Sequence, residues 1–332
     1  MLRSSLTLSL LTGQPFEMKN IRSRRKKPGL MPQHLKAVEA AGIVGGARIQ
    51  GAQIGSGDLI FEPTAIQPGN FRFDIGTAGS TSLVLQSILP ALGLARGSSQ
   101  VSITGGTHVP WSPCFHYLNL HWLYYLRAMG YEVQLDLETA GFYPIGGGRV
   151  NGTVLSVDSV RPLTLTHRGM LTRFRGVSAV ANLDASVAER QKAQAVKRLK
   201  DTCDRVEIEI VRMPSPSRGT VLLLIADFEN SQACFFSLGA LGKPAERVAD
   251  EAVDEALEFL ASDGAIDHHL ADQLVLPLAL AAGESTIRTP DVTQHLVANA
   301  AIINTFLPDT VEISAGSGSV GVVCIHGRRL SA

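Results

Sequence analysis

Cysteine is sparse in this 332-residue chain: Cys114, Cys203, Cys234 and Cys324 lie far apart, form no CxxC pair and have no histidine at a zinc-partner spacing. That pattern argues against a disulfide framework or a structural zinc site and fits a reducing, cytoplasmic setting. Long apolar runs are missing too. None approaches the ~20 residues that a membrane-spanning helix needs, so a soluble protein with no membrane partner is expected. The formal net charge is zero, which removes a general polyelectrolyte surface from consideration. The triple-glycine stretch GFYPIGGGRV fits neither G-x-x-x-x-G-K-[ST] nor G-x-G-x-x-G. No G-x-S-x-G elbow or H-E-x-x-H pair occurs, so the usual hydrolase and metalloprotease readings lose their support.

The basic charge is gathered rather than missing. Residues 1–36 hold eight Lys or Arg against a single acid, Glu17, which points to a local anion site. This opening resembles a transit peptide in being basic and Ser-containing, but Pro28-Gly29 interrupts it, and MPQHLKAVEAAGIV continues as an amphipathic helix with Leu35, Val38 and Ala41 apolar. Residues 1–12 read as a helix with Leu2, Leu6 and Leu10 on one stripe, stopped by Gly13 and Pro15. With no capping residue ahead of that helix, either a strand or loop is expected upstream or the start is divergent. NIRSRRKKPGL follows as a short strand or loop, open to two readings: a solvated basic loop, or a phosphate cradle, because the planar fork of Arg binds phosphate oxygens bidentately.

From Ala47 to Thr107 strands alternate with turns and one helix, and the turn Gly-Thr-Ala-Gly-Ser places free backbone N–H groups at that helix's N-terminus, where an anion can sit. An aromatic helix and two strands around GFYPIGGG come next. Residues 169–262 change character, with a charged helix AERQKAQAVKRLKD whose polar faces read as solvated surface, further strands, and a second helix. The pattern of 263–332 then echoes that near 31–107. The reading is an α/β (α+β) fold: a discontinuous main domain, 1–168 and 263–332, with an inserted α/β module at 169–262.

Chemistry concentrates in VTQHLVANAAIINTFLP. Leu296, Ala300, Ile303 and Leu307 form its buried stripe, and His295 sits in the first turn, where the helix dipole disfavours imidazolium and attracts phosphate. A neutral histidine beside phosphate is set up for phosphoramidate chemistry, although a histidine near an apolar stripe is more often a hydrogen-bonded structural residue. His269 and Asp272 stand three apart and share a helix face. Asp272 there serves to orient a base, bind a metal or accept from Arg, or else the two are an ordinary surface pair. Pro277 is expected to kink that helix or end its first half. His108, His116, His121 and His268 show no spacing that singles them out.

Taken together, LRSSLTLSLLTGQPF, NIRSRRKKPGLMPQHLKAV, FDIGTAGSTSLVLQSILP, GFYPIGGG, ADQLVLPLALA and QHLVANAAIINTFLP resemble the RNA 3′-terminal phosphate cyclase family, in order and along nearly the whole chain. The resemblance implies repeated units, each pairing two helices with a four-stranded sheet, plus a smaller insert. It implies that His295 attacks the α-phosphate of ATP, that AMP passes to an RNA 3′-phosphate, and that the neighbouring 2′-OH closes a 2′,3′-cyclic phosphate. Arg3, Arg22, Arg25, Gln33, Gln86 and His269 fall on its nucleotide and phosphate positions, Asp272 on the acid beside the nucleophile, and Mg²⁺ or Mn²⁺ is implied with ATP. Family members begin with a strand and an E-G-G-G-Q stretch, so the metal-serving Glu is expected before Met1, upstream of the given start. A homodimer stays open. The alternatives are a cyclase-like, non-catalytic RNA-binding protein of ribosome biogenesis, a shortened cyclase of impaired activity, and an enolpyruvyl transferase of related architecture; His295 speaks against the first.

Overall fold

The computed structural model describes residues 1–315 and 320–329. Gly316, the last residue of the expected strand TVEISAG, lies outside them. The chain begins with α1 (Leu2–Thr12), β1 (Phe16–Met18), α2 (Pro32–Val44), β2 (Arg48–Gln50) and β3 (Leu59–Glu62). Its first sheet has three strands in the order β1-β3-β2, where the resemblance implied four.

The second unit gives the full plan. β4 (Asn70–Asp74), α3 (Thr81–Gly93), β5 (Ser99–Gly105), α4 (Phe115–Tyr117), a π-helical turn at Leu118–Trp122, α5 (Leu123–Ala128), β6 (Glu132–Thr139) and β7 (Gly148–Leu155) form a sheet of order β4-β5-β7-β6. β4 and β5 are parallel because α3 carries the chain back between them, and the later pairs are antiparallel.

The third unit repeats this plan with a long interruption. It starts at β8 (Thr164–Leu165), breaks for β9 (Leu171–Ala181), α6 (Ala185–Leu199), β10 (Val206–Arg212), β11 (Gly219–Phe228), β12 (Gln232–Leu238) and α7 (Ala245–Leu260), and resumes with α8 (His268–Ala279), β13 (Glu284–Thr289), α9 (Gln294–Phe306), β14 (Val311–Ala315) and β15 (Gly321–His326). Its sheet runs β14-β15-β13-β8, with β8 and β13 parallel. First strand, second, fourth, third is also the order of the second unit. The repeat visible only as patterning in the sequence is therefore a repeat of topology. α8 continues to Ala279 with Pro277 in its last turn, so of the two outcomes expected for this proline, a kink or an end to the first half of the helix, the second does not occur.

The interrupting stretch is fastened on both sides of its sheet, ordered β10-β9-β11-β12. On β11, Leu222, Leu224 and Ala226 pack into a core with α6 and α7, while Val221, Leu223 and Ile225 on the other face join the larger core. A strand buried on both faces reads as an unbroken apolar run, which is what TVLLLIADF is. The charged helix faces are not merely solvated. Arg190 pairs bidentately with Glu246, and Arg198 reaches Asp250 and Asp254, tying α6 to α7. Where the stretch leaves and rejoins, Arg168 donates to the carbonyls of Phe259, Leu260 and Gly264 and lies over the Phe228 and Phe259 rings.

α1 departs most from its sequence reading. Instead of one buried stripe, Leu2, Ser4, Ser5, Leu6, Thr7, Leu8, Ser9 and Leu10 are all buried. Its hydroxyls make this tolerable, since Thr7 donates to the Ser87 carbonyl at 2.8 Å and Ser9 to that of Gln14 at 2.5 Å. Among the described residues no helix is long and apolar enough to cross a membrane, and all four cysteines are free.

Leu6, with no exposed surface, sits at the middle of this helix. Leu6→Ala should lower the unfolding free energy by about 2–5 kcal/mol, whereas Arg190→Ala should cost only about 0.2–1 kcal/mol. Urea titration of the two variants checks the contrast, and an equal loss in both would contradict the packing described.

Candidate functional site

The N-terminal parts of α1, α2, α3, α8 and α9 are linked to one another by side-chain interactions. At α3 the cap Ser80 accepts from the Leu83 N–H, and the Ser80 N–H donates to Gln33 Oε1 of α2 at 3.1 Å. From α3, Gln86 donates to Gln273 of α8 at 2.5 Å, and Gln273 in turn donates to the His269 carbonyl at 2.9 Å. Ser4 of α1 donates to Asn299 Oδ1 of α9 at 2.7 Å, and Asn299 Nδ2 donates to the Asp272 carbonyl of α8 at 2.9 Å. Each helix start contributes partial positive charge and N–H groups. The Ncap residues of α1 and α2 put no side-chain oxygen on those groups, and at α2 the Met31 N–H donates back to His34 Nδ1 at 3.3 Å.

The cations sit accordingly. Arg3 is solvent-accessible, yet enough protein surrounds it to depress its pKa through lost solvation, as for a side chain in a crevice. Among the described residues its guanidinium has no hydrogen-bond or ion-pair partner. Its neighbour His34 is pushed down to about 4, first by burial and then by the charges of Arg22 and Arg3, so it stays neutral and adds no charge of its own beside the two arginines. Arg22 takes a left-handed backbone, φ 54°, and donates through one guanidinium nitrogen to the Lys27 and Gly29 carbonyls. That shapes the loop between β1 and α2 and leaves its other N–H groups for a ligand. Arg25 is exposed in the same loop, and among the described residues no side-chain hydrogen bond or ion pair joins it to the group above.

His295 occupies the first turn of α9, exposed beside the buried Leu296. Neither ring nitrogen has a hydrogen-bond partner among the described residues, so the structural role open to it on sequence grounds is not the one it fills. Its helix is held by Thr293, which accepts from the Leu296 N–H at 2.9 Å while donating to Asp272 Oδ1 at 2.5 Å. His269 is close enough to feel the charge of His295, and lost solvation followed by His268 lowers its pKa. Burial raises the Asp272 carboxyl to about 6, against the opposing effect of the Thr293 bond.

Several of these partners have no signal of their own in the sequence. Asn299 is one helical turn beyond His295, which could have marked it; Ser4, Gln273 and Thr293 carry nothing comparable. His121, passed over by spacing, is buried in the π-helical turn and bonds Asp267 at 2.8 Å; Asp267 caps α8 and accepts from the Cys234 N–H. The hollow of about 610 Å³ on the open face of β4 to β7, lined by Phe71, Arg72, Asp136 and Arg149 among others, contains none of the predicted site residues. Among the described residues no group of three or more His, Cys, Asp or Glu is placed to hold a metal ion, so the expected Mg²⁺ or Mn²⁺ finds no ready protein ligand set.

Because the folded carboxyl of Asp272 titrates above its ordinary value of 3.8, the folded state takes up this proton before the unfolded one. Its contribution to stability is fully present at low pH and is lost as pH rises through about 6. Between about pH 7 and pH 4 the stability of the wild type relative to Asp272→Asn should therefore rise by about 2 kcal/mol. Urea unfolding of both proteins across that range measures it, and parallel curves would refute it.

A family model described as RNA 3′-terminal phosphate cyclase matches residues 1–313. An RNA 3′-terminal phosphate cyclase of Pseudomonas fluorescens is 45% identical over 326 residues, covering 98% of this chain and 94% of that protein. One from Methylococcus capsulatus is 41% identical, covering 98% and 92%, and one from Staphylothermus marinus 40%, covering 99% and 95%. Similarity of this depth along almost the full length, meeting a doubled strand-and-helix plan and an anion-ready junction of helix starts, shows that the chain belongs to the RNA 3′-terminal phosphate cyclase family.

Proposed function

We propose that this protein converts an RNA 3′-phosphate to a 2′,3′-cyclic phosphate at the expense of ATP, with His295 as the covalent carrier of AMP. The observation that carries the reading is the unengaged imidazole of His295 on a helix start whose position is fixed through Thr293, Asp272 and Asn299. A ring nitrogen of His295 attacks the α-phosphorus of ATP; an N–P bond forms, the bond to the bridging oxygen breaks, and pyrophosphate leaves. An oxygen of the RNA 3′-phosphate then displaces the imidazole, giving an RNA–adenylate. Finally the 2′-oxygen attacks the activated 3′-phosphorus, loses its proton and expels AMP. Every step moves negative charge among phosphates, and catalysis reduces largely to position and fixed positive charge.

Arg3, Arg22 and Arg25 supply that charge. Gln33 and Gln86, whose carboxamides already brace neighbouring helices, keep N–H groups for phosphate oxygens, and His269 lies at the nucleotide. Asp272 is a positioning residue that acts on His295 through Thr293. A divalent ion accompanying ATP supplies further charge neutralisation, held chiefly by phosphate oxygens. Residues 169–262 form the inserted module, entering between β8 and α8.

Incubation with ATP radiolabelled at the α-phosphate should give an acid-labile, base-stable protein–AMP adduct. His295→Ala should abolish it, and Arg3→Ala should slow its formation on the order of a hundredfold. Absence of the adduct in the wild type, or its undiminished formation in His295→Ala, defeats the proposal.

A further inference from the structure

Two loops next to the site each raise large apolar side chains into solvent. The first, between β5 and α4, leaves at Gly106 and closes where the Phe115 N–H donates to the Thr107 carbonyl at 2.9 Å, so Trp111 stands at its apex. Trp111 is 98% exposed and takes a left-handed backbone conformation, φ 65°. A bulky residue is rare there and persists only where its surroundings over-determine it. These surroundings do so. Thr107 Oγ1 bonds His108 Nδ1 at 2.7 Å, His108 Nε2 bonds His116 Nδ1 at 2.9 Å, and the His108 ring stacks on Phe142 at 5.0 Å between centroids.

The second loop joins β6 to β7. It is pinched by the Gly146 N–H donating to the Phe142 carbonyl at 2.8 Å, which pushes out Tyr143 and Ile145, 69% and 60% exposed. Both loops rest on the turn before α3. Gly106 donates to the Gly79 carbonyl, a Cβ on Gly106 would fall 2.4 Å from the Ala78 oxygen, and one on Gly146 would fall 2.8 Å from the Ala78 Cα. That turn is the one whose Ser80 N–H is held by Gln33. On the other side, Ser217 accepts from the Phe142 N–H at 2.8 Å, and the next residue, Arg218, is exposed with no hydrogen-bond or ion-pair partner among the described residues.

Exposed aromatic rings on a braced base, bordered by a free guanidinium and continuous with a phosphate site, match what single-stranded nucleic acid requires: a surface for base faces and a cation for the backbone. We infer that Trp111 and Tyr143 stack the last bases of the single-stranded RNA 3′ end, with Arg218 on its backbone, while the terminal phosphate reaches His295. This deepens the proposed function and rests on RNA being the substrate.

The test uses a 3′-phosphorylated single-stranded oligoribonucleotide, with 2-aminopurine at one of its last two positions or with both positions abasic. Binding is measured without ATP. Trp122, the second of the two tryptophans, is buried, so the RNA should quench emission from Trp111, and 2-aminopurine fluorescence should fall in parallel. Trp111→Ala and Tyr143→Ala should each weaken binding about 5- to 150-fold, and Trp111→Phe should restore most of it. On the abasic RNA the alanine variants should match the wild type. Wild-type affinity in both alanine variants, or an equal loss on abasic RNA, would overturn the assignment. The protein–AMP adduct from ATP alone is scored separately: its absence would count against the His295 chemistry and leave the stacking result standing.

Discussion

Helix starts resist being gathered, because each carries partial positive charge and like ends repel. Adding Arg3 without a carboxylate partner makes the junction still less favourable in the absence of an anion. What holds it is α1, a helix buried on all sides whose hydroxyls meet neighbouring carbonyls, and whose Ser4 begins the relay through Asn299 to the backbone of Asp272. The junction is thus held by packing and by directional hydrogen bonds that do not depend on charge. On the proposed function, an arriving polyphosphate would find its counter-charges already in place and would not need to reorganise them.

The same arrangement explains why neutral groups are as important as charged ones. His34 remains uncharged between two arginines, and the raised carboxyl of Asp272 accepts from Thr293 in place of a cation. Were Asp272 paired directly with Arg3, the positive field would be spent inside the protein. Routing the acid to a helix cap makes it a geometric constraint on the first turn of α9 rather than a counter-ion.

The sequence disclosed the elements well and their partnerships poorly. Periodicity placed α2, α3, α8 and α9, being a local signal for local structure, while the caps Ser80, Asp267 and Thr293 went unremarked. The resemblance marked Arg3, His295 and Asp272. The π-helical turn around His121 has no signature of this kind, and the Ser4 to Asn299 bond joins residues 295 positions apart, a distance no periodicity spans. α1 was misjudged because Ser and Thr look polar in a pattern, although in a helix they can satisfy themselves against carbonyls and be buried. β12 has no strand pattern of its own to read, because an apolar run so soon after β11 shows no alternation.

Arg168 carries a consequence for how such a protein tolerates change. By gripping the carbonyls of Phe259, Leu260 and Gly264 it keeps the departure and return of the chain side by side, which is the geometry in which a segment can be exchanged for another of different length. Yet the exchange is not free. The Cys234 N–H and the Gln232 side chain bond Asp267 and His121, so a replacement must present a donor at the same edge or leave the cap of α8, and with it the entrance to the site, partly unmade. The segment behaves as a cassette whose contacts with the rest of the chain are part of its specification.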